Sequence, residues 1–300
     1  MKNIVIFLFG LFLPCFFYGQ TLLEYRLKIG DVFVLHQNAK QRITQTIGDT
    51  EQIITNTLEG VFQLKVIDKQ EDQFVLELKF NDLKLHISSN LLGELLAVNA
   101  KEVHEGDISS KMYHSLLNSP VKLFLAKNGD ILQVSGGDKL VSKMVQAAEI
   151  EDALSLDILK NTLENDFGSK ALSDSYEQMT FIYPTTPIKV GDTWVNYYDG
   201  KLHSKNTWKL EDLTASNATI LGEAEVVMTL KENTMSMELN GHQETEIKTN
   251  TANGFLKTMK VSGTYSGISK DLNSNEEIPT TITSQITYEL LNTTHVSQNF

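Results

Sequence analysis

The residues of this chain that could do chemistry include a closely spaced serine and lysine, seven histidines and an oxygen-rich loop. Ser119 and Lys122 have the Ser-x-x-Lys spacing of penicillin-binding enzymes, in which the serine is a nucleophile. That chemistry places the serine at the start of a helix, whereas the alternation after Pro120 predicts a strand. The chain also has no Lys-Thr-Gly partner motif. We therefore interpret this pair as part of a strand.

The histidines and the loop that begins at Asp271 do not form a metal-ligand pattern. The seven histidines are scattered, and no two stand at the i, i+4 spacing of a helical zinc site. The loop alternates oxygen side chains as a calcium loop does, but Glu276 occupies the glycine position and Ile282 the glutamate position. We interpret the loop as a polar hairpin tip, and the sequence predicts neither a metal nor a cofactor.

Methionines are a weaker indication of a ligand site, because a thioether side chain adapts to irregular apolar ligands. The candidate ligand-binding residues are Met144, Met228, Met235, Met237 and Met259. Ordinary filling of a hydrophobic core is the alternative explanation for all five.

Long β-strands are the elements that must position these side chains. Apolar and polar residues alternate from Phe62 to Ile87 in the first half of the chain, and again from Ile278 to Leu290 near its end. One face of the last strand is apolar and the other is rich in threonine, which is typical of an antiparallel sheet. Asn240-Gly241 is predicted to be a hairpin turn.

Two short segments recur in the same order, which indicates an internal duplication. The Lys-Ile-Gly-Asp of residues 28–31 returns as Lys-Val-Gly-Asp at 189–192, and the Asn-Gly of 128–129 returns at 253–254. Glycine followed by aspartate suits a turn that starts a strand. Asp31 and Asp192 are therefore interpreted as structural.

The predicted fold is mainly β (α+β), with two related halves of long antiparallel strands and a helical insert between them. The insert is predicted because Leu140, Met144 and Ala148 follow helical spacing. The predicted boundaries are 1–20 for a signal peptide, 21–136 for the N-terminal β half, 137–179 for the insert and 180–300 for the C-terminal β half. One continuous curved sheet and two lobes are both compatible with this pattern.

The N-terminal segment predicts export. Lys2 precedes an apolar run from Ile4 to Tyr18, which is shorter than the roughly 20 residues of a membrane-spanning helix. We expect a signal peptide that ends near Gln20 and a soluble protein of the periplasm or cell exterior. Lipid anchoring at Cys15 is disfavoured, because the residues before this cysteine are bulky.

Composition excludes several classes of function. The net charge of −12 disfavours binding to nucleic acids or to anionic membrane surfaces. The single cysteine lies in the predicted signal peptide. The exported chain would therefore have no disulfide framework, thiol nucleophile or cysteine-bound zinc.

These features together resemble a family of uncharacterised secreted proteins of Bacteroidota-type bacteria, classed as a domain of unknown function. The resemblance rests on the end of the signal segment and on residues 23–33, 119–136 and 183–194. It implies an envelope location and supplies no catalytic residues. A looser similarity, in architecture only, is to periplasmic lipoprotein carriers, whose curved antiparallel sheet holds acyl chains under helices.

Three functions follow as hypotheses. The first is a non-enzymatic envelope protein that binds a lipid or another apolar or amphipathic molecule between the sheet and the helices. The second is an interaction module that presents strand faces, such as Thr281 to Glu289, to an envelope protein or a glycan. The third is a hydrolase assembled from dispersed residues.

Overall fold

The computed structural model describes residues 19–117, 119–200, 202–231 and 234–296. The predicted signal segment, including Cys15, lies almost entirely outside these residues. Within them the chain forms twelve strands and four helices. The strands are β1 (Asp31–Ile47), β2 (Thr50–Lys69), β3 (Gln73–Ser89), β4 (Gly93–Asn99), β5 (Val121–Ala126), β6 (Ile131–Ser135), β7 (Thr193–Tyr198), β8 (Leu202–Leu213), β9 (Asn217–Lys231), β10 (Met235–Asn250), β11 (Leu256–Asp271) and β12 (Glu277–His295). The helices are α1 (Ile108–Leu116), α2 (Gly137–Ala147), α3 (Ala153–Phe167) and α4 (Ser169–Thr180).

All twelve described strands belong to one antiparallel sheet. Its order is β6-β5-β3-β2-β1-β12-β11-β10-β9-β8-β7, and β4 pairs with the far end of β3. The first and last long strands, β1 and β12, lie side by side at the centre and join the two halves. The mainly β, antiparallel fold predicted from the alternation is thus confirmed, in the form of one continuous sheet.

The repeated segments occupy matching positions in this topology. The Lys-x-Gly-Asp turns precede β1 and β7, the first strand of each half, and both turn glycines, Gly30 and Gly191, have φ +93°. The aspartate carboxylates accept hydrogen bonds from the backbone N–H of Lys28 (2.8 Å) and Lys189 (3.1 Å). The Asn-Gly turns follow β5 and β10, which are the fourth strands along the main path when the count starts at β1 and at β7 respectively.

The helices pack on one side of the sheet, called the covered face from here on. Helix α1 follows β4, whereas α2, α3 and α4 lie between β6 and β7 in sequence. Asp107 and Asp152 cap the first and third helices by accepting hydrogen bonds from the backbone N–H of Ser109 and Ser155. No helix among the described residues is long and apolar enough to cross a bilayer.

The main core lies between the helices and the covered face and draws on both halves of the sheet. The ring of Tyr176 on α4 meets Phe62 edge-on, with centroids 5.4 Å apart. At the central seam, Phe33 of β1 stacks on Phe255 at 3.8 Å. A second, smaller core further along the strands contains Leu239, Tyr265 and other residues of the same face.

A polar row crosses the covered face between these two cores. Hydrogen-bonding registers align its polar members across the sheet, with Ala224 of β9 and Gly263 of β11 interposed: Asn196, Asn206, Gln243, Ser284, Gln41 and Asn56. Alternation on a single strand does not reveal this row, because six strands contribute one polar residue each.

The predicted turn at Asn240-Gly241 is wrong. Both residues lie inside β10, where Gly241 pairs with Val226 and with Tyr265. A Cβ atom on Gly241 would overlap the carbonyl oxygen of Thr264 and would lie 2.7 Å from a ring carbon of Tyr265. The glycine therefore makes room for the backbone and an aromatic ring of the neighbouring strand, a use that a dipeptide pattern cannot distinguish from a turn.

Candidate ligand cleft between the sheet and the helices

A cleft of about 570 Å³ separates the helices from part of the covered face. Its floor is formed by β1, β2, β3, β4 and β12, and its roof by α1, the end of α3 and α4. The connection from β7 to β8 closes one end. A volume of this size is in the range of small-molecule sites, roughly 300–1,000 Å³.

The apolar part of the lining comes from both layers. Leucine and isoleucine side chains of the sheet meet aromatic side chains of the helices: Leu58, Leu85, Ile87, Leu96, Ile286, Tyr113 and Phe167. The two helical rings contact each other edge-on at 6.1 Å, which joins α1 to the end of α3. This side of the cleft is a surface that an acyl chain or a ring system could contact.

Polar groups line the remainder of the cleft. On the floor, the side-chain amide of Asn56 donates to Gln41 Oε1 at 3.1 Å, and Ser284 lies beside Gln41. On the roof, α4 presents Asp174, Glu177 and other residues. The cleft is therefore amphipathic, since apolar walls and a polar end share one volume.

Glu177 is a carboxyl group of the cleft whose acidity is altered. Burial, the neighbouring carboxyl of Asp130 and that of Asp174 raise the pKa of Glu177 to about 7, and Lys170 opposes the shift. Asp130, from the turn between β5 and β6, also hydrogen-bonds Glu177. Near neutral pH this carboxyl exchanges readily between its charged and neutral forms.

A larger concavity of about 740 Å³ lies on the opposite face of the sheet. Its lining includes charged side chains such as Lys84, Glu59 and His86, and the first two approach to 3.4 Å. This surface combines the polar side of the strands with the connection from β4 to α1 and the first turn of α1. We regard the smaller cleft as the candidate site because it combines two layers of structure with an apolar wall.

The predicted methionines do not meet in the cleft. Met144 and Met259 are fully buried in the main core, and Met228 and Met237 pack at the edge of the second core. Met235 is half-buried at the start of β10. The described lining residues include none of the five.

The Ser-x-x-Lys pair does not meet in the structure as a nucleophile and base. Ser119 is nearly buried, and its hydroxyl donates to the carbonyl oxygen of Ser115 at 2.8 Å. The ammonium of Lys143, from α2, donates to the same hydroxyl oxygen at 3.2 Å. Lys122 is exposed on β5.

Among the described residues, no group of three acidic, histidine or cysteine side chains is placed to hold a metal ion.

Sequence reasoning missed the side of α4 that faces the cleft. Ala171, Asp174 and Gln178 recur at the i, i+3, i+7 spacing of one helical stripe and line the cleft. The apolar residues Leu172, Tyr176 and Met179 form the adjacent, buried stripe. The sequence signal was present as a short polar stripe next to the core stripe, but such a stripe normally faces solvent.

Comparisons with solved structures give a distant resemblance in fold. Lipovitellin, in a structure titled for its lipid–protein interactions, aligns over 92% of this chain at 10% identity with a TM-score of 0.52. This chain spans only 26% of the lipovitellin chain. DynF of the dynemicin biosynthesis pathway of Micromonospora chersina aligns over 93% of this chain and 88% of its own, at 6% identity and a TM-score of 0.26.

Comparisons of sequence point to a family. A search of curated proteins finds no match. The model of a family of unknown function, DUF6263, matches residues 71–256, which run from the turn before β3 to the start of β11. That span includes all four described helices and more than half of the chain, and the chain therefore belongs to the DUF6263 family.

Proposed function

We propose that this chain is an exported, non-enzymatic protein that binds an apolar or amphipathic small molecule in the cleft between the sheet and the helices. The observation that carries the proposal is the amphipathic lining of the 570 Å³ cleft. Apolar walls on two layers suit a hydrocarbon or ring system, and the polar end suits a head group.

Two further observations support the proposal. The N-terminal segment has the charge and apolar run of a signal peptide, which suits a protein of the periplasm or cell exterior. Lipovitellin, whose structure is titled for lipid–protein interactions, has a similar fold. Because one fold hosts many functions, the proposal depends on the cleft and not on the fold similarity.

Native mass spectrometry of the mature protein, purified from its own envelope without detergent, is the first test. A reproducible excess mass that solvent extraction releases as an apolar or amphipathic molecule is the expected result. A clean mass of the protein alone, with no uptake of fluorescent amphiphiles afterwards, would contradict the proposal and leave an interaction module as the working model.

A matched pair of variants locates the binding. Leu96 lines the cleft, whereas its neighbour Leu95 points to the other face of β4 and is 46% exposed. Leu96→Arg should abolish uptake of an apolar fluorescent probe, and Leu95→Arg should leave it unchanged. Ala171→Phe, which fills the cleft from α4 without adding a charge, should also reduce uptake. Equal uptake by all four proteins would place binding elsewhere.

A further inference from the structure

The charged groups around the cleft are unevenly balanced. Four acidic residues border it: Asp166, Asp174, Glu177 and Asp199. The only basic residue in the described lining is Lys40, whose side chain belongs to the opposite face of β1, because Ala39 and Gln41 face the cleft. The roof of the cleft therefore carries a marked excess of carboxyl groups.

Asp174 and Asp199 have basic partners. The ammonium of Lys170 donates to both carboxylate oxygens of Asp174 at 2.8 and 3.0 Å, so the charge of Lys170 is paired with that of Asp174. His203 Nδ1 lies 2.6 Å from Asp199. Since Lys40 belongs to the opposite face of β1, an anionic head group entering the cleft would find no basic side chain on the cleft side among the described lining residues.

The environment of Glu177 differs, because its hydrogen-bonding neighbour is another carboxyl, that of Asp130. The negative field extends to the aromatic hydroxyl groups of the cleft. Burial and then Glu177 raise the pKa of Tyr198, and burial and then Asp166 raise that of Tyr113. A positive charge placed beside Glu177 would be stabilised by both carboxyls of the pair.

The carboxyls face an apolar wall across the same cleft. Leu58 and Leu85 on the floor and Phe167 at the end of α3 supply that wall. A small inorganic cation would leave this wall without a partner, and a plain hydrocarbon would leave the carboxyls without one. A molecule with a cationic end and an apolar body would contact the carboxyl groups and the apolar wall at the same time.

We infer that the cleft selects amphiphiles whose polar group is a cation, such as a protonated amine, held against Glu177 with the apolar body against Leu58, Leu85 and Phe167. This inference rests on the proposed function and names its ligand class. A fatty acid would be the wrong ligand, since its carboxylate would add to the existing excess of negative charge.

Isothermal titration calorimetry with three ligands of equal chain length tests the inference. Decylammonium, decanol and decanoate differ only in head group; the two ions are used below their micelle concentrations and decanol below its solubility limit. With the mature protein at about pH 8, we expect decylammonium to bind at least about tenfold more tightly than decanoate. In a second titration at about pH 7, where Glu177 is protonated in a large share of the molecules, binding of the cation should lower the pKa of Glu177 and release protons, which buffers of different ionisation enthalpy detect.

Two glutamate variants separate the cleft from the overall charge of the protein. Glu177→Gln should remove most of the preference for decylammonium and its proton release, with little effect on decanol. Glu244→Gln, at an exposed position on the other face of β10, removes the same charge and should change neither.

The outcomes distinguish the two proposals. If none of the three ligands binds, the proposed function and this inference both fail. If decanoate binds as tightly as decylammonium, or if both glutamate variants behave alike, the inference is overturned while an apolar binding site remains.

Discussion

Glu177 lies half-buried with carboxyl groups on two sides, and this residue makes stability depend on pH. The groups around it are Asp130 from the turn between β5 and β6, Asp174 and Lys170 on α4, and Tyr198 on β7. Its pKa rises from the ordinary value of 4.5 to about 7 on folding. Because the folded state holds the proton more tightly, this stabilisation is complete below the unfolded pKa and is lost as pH rises through the folded pKa.

The first prediction concerns this loss of stability with rising pH. The free energy of unfolding of the wild-type protein should fall by about 1–2 kcal/mol relative to Glu177→Gln between about pH 5 and pH 8, after allowance for partial exposure. Urea unfolding at both pH values measures the difference. Glu244→Gln is the control, and a pH dependence of Glu177→Gln equal to that of the wild type would contradict the prediction.

The second residue-scale prediction concerns two turn glycines with nearly the same backbone. Gly129 has φ +97° and Gly191 has φ +93°. A Cβ on Gly191 meets nothing within 4 Å, whereas a Cβ on Gly129 would overlap the carbonyl group of Thr180. Gly191→Ala should therefore cost only the left-handed backbone strain, about 1–2 kcal/mol, and Gly129→Ala about 3 kcal/mol or more.

Chemical denaturation of both variants measures this difference. The clash at Gly129 also displaces the end of α4, where the Thr180 hydroxyl donates to the carbonyl oxygen of Gly129 at 2.7 Å. Equal losses in the free energy of unfolding of the two variants would contradict the prediction and show that backbone strain alone destabilises both.

At the scale of the strands, glycines under aromatic rings set the packing of the covered face. A Cβ on Gly222 of β9 would lie 2.6 Å from a ring carbon of Trp208 on β8, with another ring carbon closer still. A Cβ on Gly60 of β2 would have ordinary contacts, the nearest at 3.7 Å. Both glycines are buried within long strands.

Alanine at these two positions should therefore change stability by very different amounts. Gly222→Ala should destabilise the protein by about 2–3 kcal/mol, because the indole must move. Gly60→Ala should change stability by less than about 1 kcal/mol and could stabilise, since alanine restricts the unfolded chain. Midpoints of thermal unfolding, with near-ultraviolet circular dichroism to follow Trp208, give the comparison, and a neutral Gly222→Ala would contradict it.

The strands and helices were largely predictable, because each depends on a local period. Alternation located β3 and β12, and helical spacing located α2 and α4. Asn240-Gly241 misled the prediction, since a glycine that accommodates a ring on the next strand has the same local sequence as a turn.

The cleft was only partly predictable. A ligand site between sheet and helices was inferred from the amphipathic strands and the insert, but its residues were not. They come from seven strands, three helices and the β7–β8 connection. The prediction from residue type alone selected methionines, and some of these, such as Met144, lie in the core. Only strand register and helix docking bring Leu58, Phe167 and Glu177 together.

At the scale of the whole molecule, the central pairing of β1 with β12 makes the halves depend on each other. These strands lie at opposite ends of the chain and pair from Asp31 to Gln45. Both flanks of the seam contribute to one core, in which Phe33 stacks on Phe255. Separate unfolding of either half would expose that core, so we expect one cooperative transition.

The tryptophans and the helices provide independent probes of this last prediction. The two tryptophans, Trp194 and Trp208, lie on β7 and β8, and the described helices all precede them in sequence. Urea transitions followed by tryptophan fluorescence and by the helical circular dichroism signal should coincide. Phe33→Ala removes a buried ring from the seam, about 3–5 kcal/mol, and should lower both midpoints together. Two separate transitions, or a Phe33→Ala shift seen by one probe only, would mean that the halves unfold independently in spite of their shared sheet.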